Sequence, residues 1–104
     1  LMNRGIERDC TQAPSKSSRA NCEAWYQGLV GHELEEAESK VTSALDINPQ
    51  RAEFLDTLAV ILEAKGDLAG AQKASWAAAR HSPDDVYLLT QALRITASLS
   101  PDAP

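Results

Sequence analysis

The densest run of metal-capable side chains in the sequence is His32-Glu33-Leu34-Glu35-Glu36, and its spacing decides how far that chemistry can go. A zinc-binding helix of the H-E-x-x-H kind needs a second imidazole one turn along the same face, and Glu36 stands at that place. With a single imidazole, the run reads as a helix start whose carboxylates complement the positive end of the helix dipole. His81 stands alone near the end of another predicted helix, where a cationic ring also suits the dipole. No nucleophile with its base, no carboxylate pair and no phosphate-cradling glycine loop has recognisable spacing, and the five glycines are scattered. No catalytic residue, metal ligand set or cofactor is therefore expected.

Cys10 and Cys22 are the only cysteines. Set on either side of a short connector, they suit a disulfide that staples an N-terminal helix to the helix after it, and they suit two buried thiols equally well. A bridge would favour an oxidising, extracytoplasmic compartment.

Charge narrows the partners. Ten Lys and Arg against fifteen Asp and Glu leave a net charge of -5, which repels phosphate backbones and argues against nucleic acid. The imbalance is concentrated: between Glu33 and Asp67 nine acids face Lys40, Arg51 and Lys65, whereas residues 1–20 carry Arg4, Arg8, Lys16 and Arg19 against Glu7 and Asp9. A basic or amphipathic ligand would be steered toward the acidic middle. No apolar run approaches the ~20 residues of a membrane span, and no secretory leader pattern is expected at the start.

The elements that must position these residues are helices. At 104 residues the chain fits one small domain, and it repeats itself at a spacing of 34. Leu34 recurs as Leu68, Ala37 as Ala71, Ala44 as Ala78, Pro49 as Pro83, Leu55 as Leu89 and Ile61 as Ile95. Leu55, Leu58, Ala59 and Leu62 fall at i, i+3, i+4 and i+7, one face of a helix. Gly66-Asp67 breaks that helix, and a second comes after it with Leu68, Ala71, Ser75, Ala78 and Ala79 on its packing side. Ser82-Pro83-Asp84-Asp85 reads as the next helix start, as does Asn48-Pro49 one period earlier.

On these residues the stretch Ala52 to Asp85 resembles a tetratricopeptide repeat. Its pattern slots hold Leu55, Leu58, Ala59 and Leu62, then Ala71, Ser75, Ala78 and Pro83, with Ser75 the departure that predicts looser packing. The preceding unit, 18–51, matches through Leu34, Ala37, Val41, Ala44 and Pro49. Its first helix, near 18–30, carries Cys22, Trp25, Tyr26 and Leu29 as an apolar stripe one residue late. A longer turn at Gly31-His32 absorbs the slip and puts its second helix near 33–46. A last helix, 84–99, caps the stack with Leu89, Ala92 and Leu93 facing inward.

The resemblance implies an all-α fold of antiparallel helix-turn-helix repeats in a short right-handed superhelix. It also implies an adaptor that holds a peptide or helix of another protein on its concave face. The residues it places there are Glu53, Asp56, Val60 and Glu63, then Tyr87, Thr90 and Arg94, with Glu23, Tyr26, Gln27 and Val30 from the first unit. The Lys, Asn and Arg clamp with which one subgroup grips a terminal carboxylate is missing: Cys22 or Glu23, Tyr26 or Gln27, Thr57, Tyr87 and Gln91 hold those positions. A basic or amphipathic peptide is the expected ligand.

Outside the repeats, Met2, Ile6 and Cys10 predict a short N-terminal helix within residues 1–17, and Ser100 to Pro104 a disordered tail. Trp76, near Lys73 and Arg80, is read either as an outward contact or as a cover over the Ala-rich helix. The last helix has a second apolar stripe, Leu88, Ile95 and Leu99, which predicts a homodimer or scaffold contact there. The alternative places Leu88 and Ile95 inside the packing, like Phe54 and Ile61.

Overall fold

The computed structural model describes Cys10 and residues 12–99. Five α-helices run through them: α1 (Lys16–Val30), α2 (Leu34–Ile47), α3 (Ala52–Ala64), α4 (Leu68–His81) and α5 (Val86–Leu99). No strand occurs among the described residues, and the fold is all-α. The Met2 and Ile6 part of the expected N-terminal helix and the expected tail Ser100 to Pro104 lie outside the described residues.

The helix ends have local causes. Ser15 starts α1 by accepting the Ser18 N–H on its hydroxyl at 3.0 Å. Gly31, at φ 70, ends it, because that left-handed conformation lets the His32 N–H reach back to the Gln27 carbonyl at 3.0 Å. Asp67 caps α4 through the Gly70 N–H at 2.9 Å. The proline segments are turns between helices. Pro83 sits second in a turn closed by Asp85 N–H to the Ser82 carbonyl at 3.0 Å, and the matching turn runs from Asn48 to Arg51 at 3.2 Å. The last helix therefore begins at Val86 and not at Asp84, and Asp85 caps it by accepting the Tyr87 N–H at 3.0 Å.

Each helix packs on its neighbours in the chain, and α1 packs on α3 as well. The buried residues form three clusters in succession. Ala24, Ala37, Val41, Ala44, Phe54 and Ile61 make the first, Ala59, Ala71, Ala74 and Ile95 the second, and Ala78, Ala79 and Leu88 the third. Burial is strung along the stack with no single centre. Helix starts recur 34 residues apart, Leu34 with Leu68 and Ala52 with Val86. Buried residues recur with them: Ala37 with Ala71, Ala44 with Ala78, Phe54 with Leu88, Ile61 with Ile95.

Three expectations about helix faces need correction. In α1 the buried residues are Ala24 and Gly28, while Leu29 is 53% exposed and Cys22, Trp25 and Tyr26 are only part-buried. The cause is the close crossing with α3: a Cβ on Gly28 would lie 3.0 Å from Val60 Cγ1 and 3.1 Å from Ile61 Cγ1, so only small residues fit that seam. In α3 Asp56 and Thr57 are buried as well as Phe54 and Ile61, while Leu55, Leu58 and Leu62 are only part-buried, because this helix has neighbours on several sides. In α5 the inward residues are Leu88, Ala92 and Ile95, while Leu89 and Leu93 stay 41% and 55% exposed.

That rotation of α5 removes the predicted dimer stripe, since Leu88 and Ile95 are 5% and 2% exposed and Leu99 is part-buried. It is fixed by polar contacts flanking the apolar seam. Thr96 accepts hydrogen bonds from Trp76 Nε1 at 2.9 Å and Gln72 Nε2 at 3.1 Å, and Arg94 clasps Glu63 on α3. Trp76 is thus a cover that ties α4 to α5. Ser75 is buried at 1% exposure, with its hydroxyl oxygen unpaired among the described residues.

Candidate functional site

Cys10 and Cys22 are joined by a disulfide, with Cα atoms 5.2 Å apart. It anchors the segment Gln12 to Pro14 against α1, and this segment becomes one rim of a groove of about 1020 Å³. The other walls come from the first half of α1, the start of α3 and the start of α5. The disulfide therefore acts on the shape of the groove as well as on the stability of the chain.

Asp56 and Thr57 lie on the groove, both buried, and they differ in their bonding. The Thr57 hydroxyl donates to the Glu53 carbonyl at 3.0 Å, the usual retreat of a helical hydroxyl into its own backbone. Asp56 is 7% exposed, and among the described residues no hydrogen bond or ion pair engages its carboxylate. Burial raises its pKa from 3.8 to about 6; the Asp85 charge adds to the rise and Arg94 opposes it. Asn21 also lines the groove, and its Oδ1 is buried behind the surface without a partner among the described residues.

Trp25 and Tyr87 line the groove, with the indole within hydrogen-bonding reach of the phenol. The phenol pKa is raised, first by desolvation and then by the Asp56 charge, with Arg94 and the Trp25 contact pulling the other way. Among the described residues the charged lining is Glu53, Asp56 and Asp85 against Arg51. Arg51 is occupied: it reaches Glu53 at 3.3 Å and lies over the Phe54 ring at 5.2 Å. Among the described residues the groove thus combines excess negative charge, two aromatic side chains and a largely buried carboxylate without a partner.

Of the residues expected on the binding face, Glu53, Asp56 and Tyr87 meet at this groove, and Tyr26, Val60, Glu63 and Arg94 lie off it. Val60 packs against Gly28 at the α1–α3 crossing. Glu63 and Arg94 hold each other through paired hydrogen bonds of 2.6 and 2.8 Å. The guanidinium keeps the Glu63 pKa below its usual value, and that carboxylate in turn raises Arg94. They join α3 to α5 and offer little to a ligand. Asn21, Trp25 and Asp85 belong to the groove and were not expected there. The spacing of Ala20, Ala24 and Gly28 by four carried the signal, because it turns Asn21 and Trp25 away from the packed seam.

Elsewhere the chemistry is sparse. His32 Nε2 lies 2.8 Å from Glu33 Oε1 on an exposed turn, while Glu36 turns to Lys40 at 3.4 Å, so His32 and Glu36 do not converge. Among the described residues no three His, Cys, Asp or Glu side chains gather as a metal site requires. No helix among them is long and apolar enough to cross a membrane. No known family, characterised protein or solved structure matches the chain.

Proposed function

We propose that the chain is a non-enzymatic adaptor of the tetratricopeptide-repeat type, holding a basic or amphipathic peptide or helix of a partner protein in the groove between α1, α3 and α5. The observation that carries this reading is the buried Asp56 carboxylate left without a partner on an otherwise acidic, aromatic-lined groove. Leaving a charge buried and unmet is costly, and a bound cation offsets that cost. The 34-residue recurrence of helix starts and buried positions supports the repeat reading.

The test is a titration of basic amphipathic peptides against acidic ones of equal length, at low and high salt, with wild type and Glu53→Lys. Glu53 is exposed, so its reversal alters the groove's field and spares the packing. Binding confined to basic peptides, weakened by salt and by Glu53→Lys, is expected. Equal binding of acidic peptides, or none of basic ones, would overturn the proposal.

A second reading, self-association or scaffolding through α5, is favoured by Val86, Leu89 and Leu93, which are 76%, 41% and 55% exposed and share one side of the helix. A molar mass by light scattering that stays monomeric at all concentrations removes it.

A further inference from the structure

We infer that the groove recognises one arginine side chain of the partner, its guanidinium seated on the Asp56 carboxylate and flanked by Trp25 and Tyr87. The inference rests on the adaptor reading and names what that site selects.

The groove is defined first by what it lacks. Among the described residues Asp56, 7% exposed, engages no hydrogen bond or ion pair, and Asn21 Oδ1 is buried without a partner. Both residues line the same groove, and Asp56 presents an unmet carboxylate to it. Among the described residues, the cations beside Asp56 are committed elsewhere: Arg94 to Glu63 at 2.6 Å and Gln91 at 2.8 Å, Arg51 to Glu53 and the Phe54 ring. A ligand here must bring hydrogen-bond donors and positive charge.

Lysine and arginine both carry that charge, and the site distinguishes them. A ligand reaching a nearly buried carboxylate gives up much of its own water, and guanidinium is the more weakly hydrated of the two cations. Its N–H donors lie in a planar fork that meets both Asp56 oxygens at once, whereas an ammonium is a compact charge without that bidentate geometry. Its flat face stacks on an aromatic ring, and Trp25 and Tyr87 supply two. The Gln12–Pro14 rim beside this seat is tied to α1 by the Cys10–Cys22 disulfide.

The experiment uses the whole chain and the minimal probe Nα-acetyl-arginine methylamide, followed by the NMR signal of the Trp25 indole N–H. The citrulline and lysine analogues run in parallel, because citrulline keeps the shape of arginine and loses its charge. A saturating shift with arginine is expected. It should be at least tenfold weaker with citrulline or in Asp56→Asn, and several-fold weaker with lysine. Equal affinity for citrulline, undiminished binding by Asp56→Asn, or no saturable shift at Trp25 overturns the inference. The citrulline comparison needs no altered protein, so a folding defect in the variant cannot mask the result. The two proposals also fail separately. Basic peptides that bind without the arginine probe reaching Trp25 leave the adaptor reading standing, and a probe that saturates while no peptide binds leaves only the seat.

Discussion

Asp56→Asn should make the protein more stable while removing its affinity for cations. In the folded chain the Asp56 pKa is raised from 3.8 to about 6, chiefly because burial penalises the charged form. A carboxyl whose folded pKa lies above its unfolded value loses stability as pH rises, since the unfolded chain releases the proton first. The loss begins near the unfolded value and is complete once pH passes the folded one. That gap corresponds to about 3 kcal/mol at neutral pH, as an order of magnitude. Asparagine removes the charge and keeps a polar amide in the same place, so roughly 1–3 kcal/mol of this should be recovered. For a domain of this size each kcal/mol moves Tm by roughly 4–8 °C. Thermal unfolding of both proteins at pH 7.5 and pH 4 reads the effect directly. At pH 7.5 Asp56→Asn should melt several degrees higher, and at pH 4 the two curves should nearly coincide. A variant that melts lower at pH 7.5, or whose advantage is the same at both pH values, would show that the carboxylate is not held at a cost in charge.

Other outcomes can be checked alongside. Binding of the arginine probe should weaken as pH falls through about 6, because protonated Asp56 no longer attracts a cation. The groups facing it are Asp85, Glu53, Tyr87, Arg94, Arg51, Trp25 and Asn21, and a pH-independent dissociation constant would contradict the assignment. Replacing both cysteines with alanine opens a loop whose closing residues are 12 apart; chain entropy sets the loss at about 3 kcal/mol, checked by urea unfolding. Ser75→Ala removes a buried hydroxyl without a partner among the described residues and should raise stability by about 1 kcal/mol in the same assay. Gly28→Ala puts a methyl 3.0 Å from Val60 Cγ1; the strain should exceed the ~1 kcal/mol that alanine gains in a helix, for a net loss.

The sequence disclosed the helices more fully than their faces. The period of 34, the breaks at Gly31 and Gly66 and the small residues Ala37, Ala71 and Ala78 placed the hairpins, because these features act locally or repeat. The rotation of a helix about its own axis is decided by neighbours distant in the chain. In α5 two overlapping stripes, Leu88-Ile95 and Leu89-Leu93, are equally compatible with the spacing alone. The tie is broken by Trp76 and Gln72 reaching Thr96 from α4, and by Glu63 reaching Arg94 from α3. In α1 the larger side chains favour a face through Cys22, Trp25 and Leu29, while the tight crossing selects Ala24 and Gly28. Asp56 is named as a candidate for the binding face through the repeat resemblance, and the structure sets it on the groove. That it would be buried and unpaired was not legible, since this depends on α1 and α5 closing over it together.

The most direct test of a peptide-holding groove is a set of amide and indole NMR shifts recorded while a basic amphipathic peptide is titrated into the labelled chain. Saturable shifts should concentrate at Asn21, Trp25, Asp56, Thr57 and Tyr87, with Lys73, Trp76 and Arg80 unmoved. Shifts centred on Lys73, Trp76 and Arg80, or none at any peptide concentration, would contradict a groove that holds its partner between α1, α3 and α5.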